Sequence, residues 1–255
     1  MKNGYTVSVI VPAKNEAETI VSLLDAIPDW VDEIIVVDGQ SGDETFNLSA
    51  SHPRVSVTVQ QRSKGKGAAL SAGFARATCD LVAIIDADGS MNPQELGSYI
   101  AVFPGCDIAK GSRYIQGGGS SDLTFIRSIG NRALTRIANI LFKQHWTDMA
   151  YGYAVFERKL LSSLALTNYD GLGSIGTRKA YGQGFEIETL MFTRAARRGL
   201  EIKEIPSYET SRIAGASNLR AVRDGFRVLF SLLIERARSV PLPNVESSRK
   251  NQSEK

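Results

Sequence analysis

The stretch LVAIIDADGS, residues 81–90, runs from five apolar side chains directly into two carboxylates separated by one alanine. An apolar, β-branched run of this kind is typical of a strand that is buried on both faces of a parallel sheet. Asp86 and Asp88 then lie at or beyond the end of that strand. No basic residue within the stretch neutralises them, so we expect these acids to have a partner that is distant in sequence or bound from outside.

The same pattern recurs through the first hundred residues, where apolar runs are separated by segments of helical periodicity. Predicted strands cover 5–11, 33–38, 55–61 and 81–88, and predicted helices cover 20–27 and 66–77. Strands that alternate with helices predict βαβ units. The expected fold class is therefore α/β, with a mostly parallel central sheet flanked by helices.

The second half of the chain is less regular. Predicted strands cover 106–114, 151–156 and 200–206, and predicted helices cover 124–142, 187–195 and 219–233. The glycine-rich segment 169–184 predicts a mobile loop. We expect one domain over residues 1–238 and a polar, disordered tail over residues 239–255.

Composition favours a cytoplasmic protein without a nucleic-acid partner. The net charge is +3, with 43% hydrophobic and 22% charged residues, which is ordinary for a globular domain. No window approaches the roughly eighteen apolar residues of a membrane span. Cys79 and Cys106 form no CxxC pair and are expected to be core thiols in a reducing compartment. Peripheral contact with the inner face of the membrane stays open.

Asp86 and Asp88 predict a divalent metal site, because ligands of parallel sheets bind beyond the carboxyl ends of the strands. Two carboxylates at this spacing can hold Mg²⁺ or Mn²⁺, with substrate phosphates and water completing the coordination. His52 and His145 are isolated, which leaves no Cys/His zinc site. The alternative is that the acids merely cap the following turn.

The segment RSKGKGAAL, residues 62–70, is a second candidate site. It places Arg62, Lys64 and Lys66 among glycines at the start of a predicted helix, where unpaired N–H groups and the helix dipole favour an anion. The segment lacks the GxxxxGK[ST] pattern of a P-loop. A solvated basic turn is the alternative.

Residues 7–20, 33–45, 64–96, 107–114 and 212–219 together resemble family 2 glycosyltransferases, in order and in spacing. The chain is similar to their GT-A fold, and in particular to the polyprenol-phosphate branch that includes dolichol-phosphate mannose synthases. The resemblance covers roughly residues 5–238. It implies transfer of a hexose, with inversion, from a nucleotide-diphosphate sugar of the GDP-mannose or UDP-glucose type.

The resemblance also implies roles for individual residues on the donor side. The nucleotide-sugar-binding residues would be Pro12, Asn15, Glu16, Asp38, Lys66, Asp86 and Asp88. Asp86 and Asp88 would hold the divalent metal, Mg²⁺ or Mn²⁺, and Asp88 would be its principal ligand.

On the acceptor side the resemblance implies a polyprenyl phosphate at the membrane surface. The residues that bind the acceptor or its phosphate would be Arg113, Arg127, Asn131, Arg212 and Ser217. Arginine suits this task because its planar guanidinium binds phosphate bidentately, although each arginine taken singly could be a surface ion pair. A phosphate acceptor is already ionised, so positioning and charge neutralisation should dominate.

The expected catalytic residues are Asp88, Asp148 and Arg212. If the acceptor were a hydroxyl, it would need a general base, and Asp148 is the first candidate. Asp148 could instead orient an arginine, and the same two roles are open to Glu186 and Glu188.

Three positions depart from the polyprenol-phosphate branch. Gly39 replaces the second acid of an acid pair, Ser90 replaces a glutamine, and Asn218 replaces a lysine. They weaken the inferred contacts to the nucleobase, the metal and the acceptor, respectively.

Three alternative functions stay open. The first keeps the fold but uses a soluble acceptor, such as a phosphoglycerate-like acid or a secondary-metabolite hydroxyl. The second is a nucleotidyltransferase, although VPAKNEAET, residues 11–19, lacks the glycines expected in its first loop. The third is a non-catalytic nucleotide-sugar binding module.

The last predicted helix combines an apolar stripe with arginines at positions 220, 223, 227, 236 and 238. This pattern fits a helix that lies on an anionic membrane. Packing of the stripe on the domain core is the alternative.

Overall fold

The computed structural model describes residues 1–167, 182–214 and 221–238. Its strands are β1 (Val7–Ala13), β2 (Glu33–Asp38), β3 (Val57–Gln60), β4 (Leu81–Ile84), β5 (Ile108–Ser112), β6 (Gly119–Ser120), β7 (Ala154–Glu157), β8 (Ile202–Pro206) and β9 (Tyr208–Glu209). Its helices are α1 (Ile20–Ala26), α2 (Thr45–Ser51), α3 (Lys66–Phe74), α4 (Leu96–Ile100), α5 (Phe125–Phe142), α6 (Leu160–Ser163), α7 (Glu186–Arg197) and α8 (Ala221–Ala237).

Seven strands form one sheet in the order β3-β2-β1-β4-β7-β5-β8. β1 pairs in parallel with β2 and β4, β2 with β3, and β5 with β8. β7 is antiparallel to both of its neighbours, β4 and β5. β6 and β9 form a separate parallel pair. The prediction of a mostly parallel sheet flanked by helices is confirmed.

Side chains of the central strands alternate between two hydrophobic clusters, one on each face of the sheet. On β1, Val9 and Val11 join one cluster, whereas Ile10 joins the other together with Ile35 and Val37 of β2. Because both faces are buried, these strands place their ligand-accessible polar groups at the carboxyl ends. The sheet therefore directs any polar site to the edge where β1, β2 and β4 end.

Most predicted boundaries differ from the structure by a few residues, and the differences at β4 and β7 bear on the site. β4 ends at Ile84, so that Asp86 and Asp88 lie in the loop beyond it, and the strand predicted over 151–156 begins only at Ala154. The loop predicted over 169–184 lies outside the described residues except for Gly182–Gly184, as does the tail 239–255. A single domain over 1–238 stays a prediction. Within the described ranges, no helix has the length and apolarity that crossing a bilayer requires.

Candidate active site

Two cavities meet at the loop that follows β4. The strand-end cavity, of about 350 Å³, lies beyond β1, β2 and β4 and is lined by Pro12, Glu16, Gly39 and Gln61 among others. The helix cavity, of about 470 Å³, is lined largely by α5 and α8. Both cavities share the side chains Lys66, Asp86, Asp88 and Arg212. The predicted metal-binding acids therefore lie at the junction of the two cavities.

Arg212 bridges two acids at this junction. Its guanidinium lies 2.8 Å from Asp88 Oδ2 and 3.4 Å from Glu16 Oε1. Asp88 also accepts hydrogen bonds from the backbone N–H and the hydroxyl of Ser90, at 2.9 and 2.7 Å. Burial raises the pKa of Glu16, and the neighbouring Arg212 opposes that rise. A backbone bond of 2.9 Å from Thr210 N–H to Ser90 O holds the Arg212 segment over the loop.

Lys66 occupies the other side of the junction, between two carboxylates. Its Nζ lies 2.7 Å from Asp86 Oδ1 and 2.7 Å from Glu188 Oε1. Burial alone would lower the pKa of Lys66, but the Asp86 and Glu188 carboxylates raise it overall. Burial raises the pKa of Asp86 to about 6, with Lys66 opposing the rise. Glu188 thus acts as a partner of Lys66 in this arrangement.

The amino-terminal end of α3 does not present its N–H groups to a ligand, which corrects the anion site predicted for residues 62–70. The N–H groups of Gly67 and Ala68 both donate to Gln183 O, at 2.8 and 3.2 Å. A Cβ at Gly67 would overlap the Gly182 carbonyl oxygen, so glycine permits this close approach. Among Arg62, Lys64 and Lys66, only Lys66 lines either cavity.

Arg113, Asp148 and Glu209 form a buried ionic cluster beside the helix cavity. Arg113 donates to Asp148 at 2.7 and 3.0 Å and to Glu209 at 2.9 Å. Asn131 adds a bond of 2.7 Å to Asp148. Burial would raise the pKa of Asp148, but the hydrogen bond from Arg113 lowers it overall.

The geometry therefore favours the orienting role for Asp148 over that of general base. Its side chain is fully buried, lines neither cavity, and is engaged on both oxygens. Arg113 and Asn131, which it holds, both line the helix cavity.

The remaining predicted residues divide into three groups. Arg127 lines the helix cavity and pairs with Asp122 at 2.8 Å. Asn15 and Asp38 line neither cavity: Asn15 Oδ1 accepts from Gly42 N–H at 2.8 Å, and buried Asp38 accepts from Ser41 N–H at 3.2 Å. They shape the strand-end loops. Ser217 lies outside the described residues.

Several cavity residues have no sequence motif that reveals them. Glu209 and Gln61 lie in ordinary strand contexts, and only the fold brings them to the cavities. Arg223 and Arg227 belong to the arginine pattern that suggested a membrane-facing helix, yet both line the strand-end cavity, and Arg227 pairs with Glu186 at 2.8 Å. The sequence does contain one indication of them: arginines spaced three to four residues apart lie on the same face of a helix.

α8 has both a packed and an exposed apolar face. Leu232 is buried among the residues of one core cluster, whereas Phe226, Phe230 and Leu233 are exposed. α5, which packs against α8, exposes Phe125, Ile126, Ile129 and Ile140. We call these seven side chains the α5/α8 apolar surface. Phe226 and Leu233, both in the last predicted helix, belong to it, so core packing does not account for all the apolar side chains of that helix.

The chemistry of the acids at the junction fits a hard divalent cation. Asp86 and Asp88 offer carboxylate oxygens that Mg²⁺ and Mn²⁺ prefer, and they border space that can admit further oxygen ligands. Over the described part of the chain, no group of three or more His, Cys, Asp or Glu side chains is arranged as a metal cage. A metal here would depend on a bound ligand for much of its coordination.

Comparison with known proteins identifies, over most of the chain, the family that the sequence motifs resemble. The sequence model for Glycosyl transferase family 2 matches residues 8–164. Glycosyltransferase AglJ of Haloferax volcanii is 30% identical over 94% of this chain and 74% of its own length. Polyprenol monophosphomannose synthase of Mycolicibacterium smegmatis is 30% identical over 83% of this chain and 80% of its own length.

Solved structures agree on the fold. A glucosyl-3-phosphoglycerate synthase from Mycobacterium tuberculosis, in complex with Mn²⁺, UDP-glucose and phosphoglyceric acid, superposes with a TM-score of 0.69 at 23% identity. The match covers 94% of this chain and 82% of that one. The family match and the identities to curated relatives, taken with this shared architecture, show that the chain belongs to glycosyl transferase family 2 and is a glycosyltransferase with the GT-A fold.

Proposed function

We propose that the protein transfers a hexose from a nucleotide-diphosphate sugar to a polyprenyl phosphate, with inversion and with a divalent metal. The observation that carries the proposal is the meeting, at Asp86 and Asp88, of a cavity rich in charged side chains and a more apolar cavity. A hexosyl group can be exchanged at that junction between a nucleotide on one side and a lipid on the other. The names of the mycobacterial synthase and of an undecaprenyl-phosphate mannosyltransferase from Micrococcus luteus support this acceptor class.

The donor would lie in the strand-end cavity, with its diphosphate toward the junction. Asp86 and Asp88 would hold Mg²⁺ or Mn²⁺, which supplies positive charge to the departing nucleoside diphosphate. The known neighbour that binds Mn²⁺ with UDP-glucose supports this cofactor class. Lys66 and Arg212, which neutralise the acids in the described arrangement, lie where they can bind the diphosphate oxygens instead.

The acceptor would lie in the helix cavity, which is lined by Ile126, Leu134, Ile137 and Leu229 and also by Arg113 and Arg127. Its apolar wall suits an isoprenoid chain, and its arginines suit a phosphate. An acceptor phosphate oxygen attacks the anomeric carbon on the face opposite the leaving group. The bond from that carbon to the donor phosphate breaks, and because the attacking oxygen is already ionised no general base is needed.

A direct assay separates the proposal from its alternatives. The enzyme is incubated with Mn²⁺, radiolabelled UDP-glucose or GDP-mannose, and either undecaprenyl phosphate in detergent or 3-phosphoglycerate. We expect label in the organic phase only with the lipid phosphate. Label in an aqueous anionic product would identify a soluble acceptor. Donor binding without any release of nucleoside diphosphate, even by slow hydrolysis, would identify a non-catalytic module.

Replacing Arg212 by alanine should lower kcat by about 100-fold, since one charged group that stabilises the leaving diphosphate is lost. The same change should tighten binding of Mn²⁺ alone, because Arg212 and the ion compete for Asp88. Steady-state kinetics and calorimetry measure the two effects. Arg76→Ala, at an exposed position that lines neither cavity, is the control. An unchanged kcat would remove Arg212 from the catalytic machinery.

We also propose that the α5/α8 apolar surface contacts the membrane that carries the acceptor. Phe125 is 79% exposed and Phe230 is 64% exposed, and exposed arginines at positions 132, 136 and 236 lie on the same two helices. Apolar side chains beside basic ones are typical of helices that bind anionic bilayers. The surface also adjoins the helix cavity, since Ile126 and Phe226 belong to both.

The double variant Phe125→Ser/Phe230→Ser should bind vesicles of phosphatidylglycerol and phosphatidylethanolamine at least about tenfold more weakly than the wild type, because two large apolar groups are lost. Sedimentation of protein with the vesicles measures this affinity. Val21→Ser changes an exposed apolar residue on α1 and serves as the control. Equal binding by both variants would show that membrane contact, if any, uses another surface.

A further inference from the structure

The wall of the strand-end cavity contains a buried polar atom without a partner. Gln61 follows β3, lines this cavity and is only 4% exposed. Its side-chain Oε1 has no hydrogen-bond partner among the residues that the structure describes. A buried carbonyl oxygen in this state destabilises the fold, so its position requires an explanation. A ligand that donates a hydrogen bond to it would supply one.

The backbone of Gln61 is fixed on both sides. Its N–H donates to Asp38 O at 3.0 Å, and its carbonyl accepts from Gln40 Nε2 at 3.2 Å. Gly39 lines the same cavity, and a Cβ there would lie only 2.9 Å from Lys14 Cβ. Since residue 39 has no side chain to offer, the Gln61 amide provides polar atoms at this end of the cavity.

The position of Gln61 in the sheet separates it from the metal-binding acids. β3 and β4 are three strand spacings apart, about 14 Å at roughly 4.8 Å per spacing. Asp86 and Asp88 follow β4, whereas Gln61 follows β3. A nucleotide whose diphosphate lies at the acids would extend its ribose and base along the strand ends toward Gln61.

We propose that Gln61 is a specificity-determining residue that reads the nucleobase of the donor, an inference that rests on the proposed function. A carboxamide offers an acceptor and a donor side by side. It therefore pairs with a base edge that has an N–H next to a carbonyl, as N3–H and O4 of uracil or N1–H and O6 of guanine. Gln61 Oε1 accepts from the ring N–H, and Gln61 Nε2 donates to the carbonyl.

Calorimetry with Mn²⁺ and four nucleotides tests the proposal: UDP, GDP, and the diphosphates of N3-methyluridine and 1-methylguanosine. For the wild type, we expect the preferred parent nucleotide to bind about 10- to 100-fold more tightly than its methylated analogue. Gln61→Leu should abolish this discrimination. Gln61→Glu should shift the preference toward GDP at least tenfold, because a carboxylate accepts from both N1–H and N2–H of guanine but repels the uracil carbonyls.

The outcomes separate this proposal from the proposed function. Gln60→Leu, which changes a neighbouring glutamine that lines neither cavity, should keep the discrimination. The nucleotide-free melting temperature of Gln61→Leu should equal or exceed that of the wild type, since the change removes a buried side-chain oxygen that has no hydrogen-bond partner among the described residues. Discrimination that survives in Gln61→Leu, or a marked loss of stability, would overturn the role of Gln61 while donor binding stands. If the wild type bound none of the nucleotides, the proposed function would fail as well.

Discussion

Asp88→Asn is expected to lower kcat by about 1000-fold or more while the protein stays folded. The Asp88 carboxylate borders both cavities, as that of Asp86 does, and it is the candidate ligand that pairs with Arg212, at 2.8 Å. An amide of the same shape keeps the packing but removes the charge that holds a divalent ion and, through it, the leaving group. Release of nucleoside diphosphate at saturating Mn²⁺ gives kcat, and thermal melting reports the fold.

Asp25→Asn is a matched control for this variant. Asp25 is an exposed acid that pairs with His52 at 3.1 Å and lines neither cavity, so its loss of charge should leave kcat unchanged. Calorimetric titration of Mn²⁺ with a nucleoside diphosphate should show weaker binding only for Asp88→Asn. Wild-type turnover in Asp88→Asn at saturating metal would refute the assignment of this residue as metal ligand.

Asp148→Ala is expected to lower the free energy of unfolding by about 3–5 kcal/mol, because the buried Arg113 guanidinium loses its principal partner. The pKa of Asp148 is lowered in the folded protein from an ordinary value of 3.8. The contribution of the Asp148 charge to the free energy of unfolding is therefore complete above the ordinary pKa of 3.8 and is lost as the pH falls through the lower, folded-state pKa. Urea denaturation at pH 7 and at a series of acidic pH values measures the free energy of unfolding of both proteins. The difference between the wild type and Asp148→Ala should become smaller as the pH falls.

Asp122→Ala separates this effect from the loss of an ordinary ion pair. The Asp122–Arg127 pair has a similar distance, 2.8 Å, but both side chains are about one quarter exposed, so its loss should cost less than about 1 kcal/mol. Asp148→Asn should raise KM for the acceptor more than it lowers kcat, since Arg113 would be misplaced. A fall in kcat of about 100-fold or more with KM unchanged would instead favour a general base at this position.

The sequence predicted the parts of the fold and site that depend on local pattern. Apolar runs located β1, β2 and β4, and the rule on strand ends brought Asp86 and Asp88 to the edge of the sheet where the strand-end cavity lies. The antiparallel direction of β7 was not predicted, because its apolar run has the same appearance in either direction.

Contacts between distant residues set the limit of sequence-based prediction. The bond from Arg113 to Glu209 spans 96 positions, and no spacing rule links two such residues. The amino-terminal end of α3 was misjudged for the same reason, since its N–H groups are satisfied by Gln183, a residue more than a hundred positions away. The sequence also left two roles open for Asp148, and its burial and its bonds from Arg113 and Asn131 favour the orienting one.

The strand order also determines when each half of the sheet can form during synthesis on the ribosome. β1 to β4 are mutual neighbours and can pair as soon as residue 84 has emerged, whereas β5 is flanked by β7 and β8, which both follow it in the chain. Throughout translation of residues 113–153, β5 has no strand beside it, and its backbone groups are open to pairing with another nascent chain. The half of the sheet formed by β1 to β4 can thus be complete before the half formed by β5, β7 and β8, and a chain released prematurely near residue 150 would expose an unpaired strand.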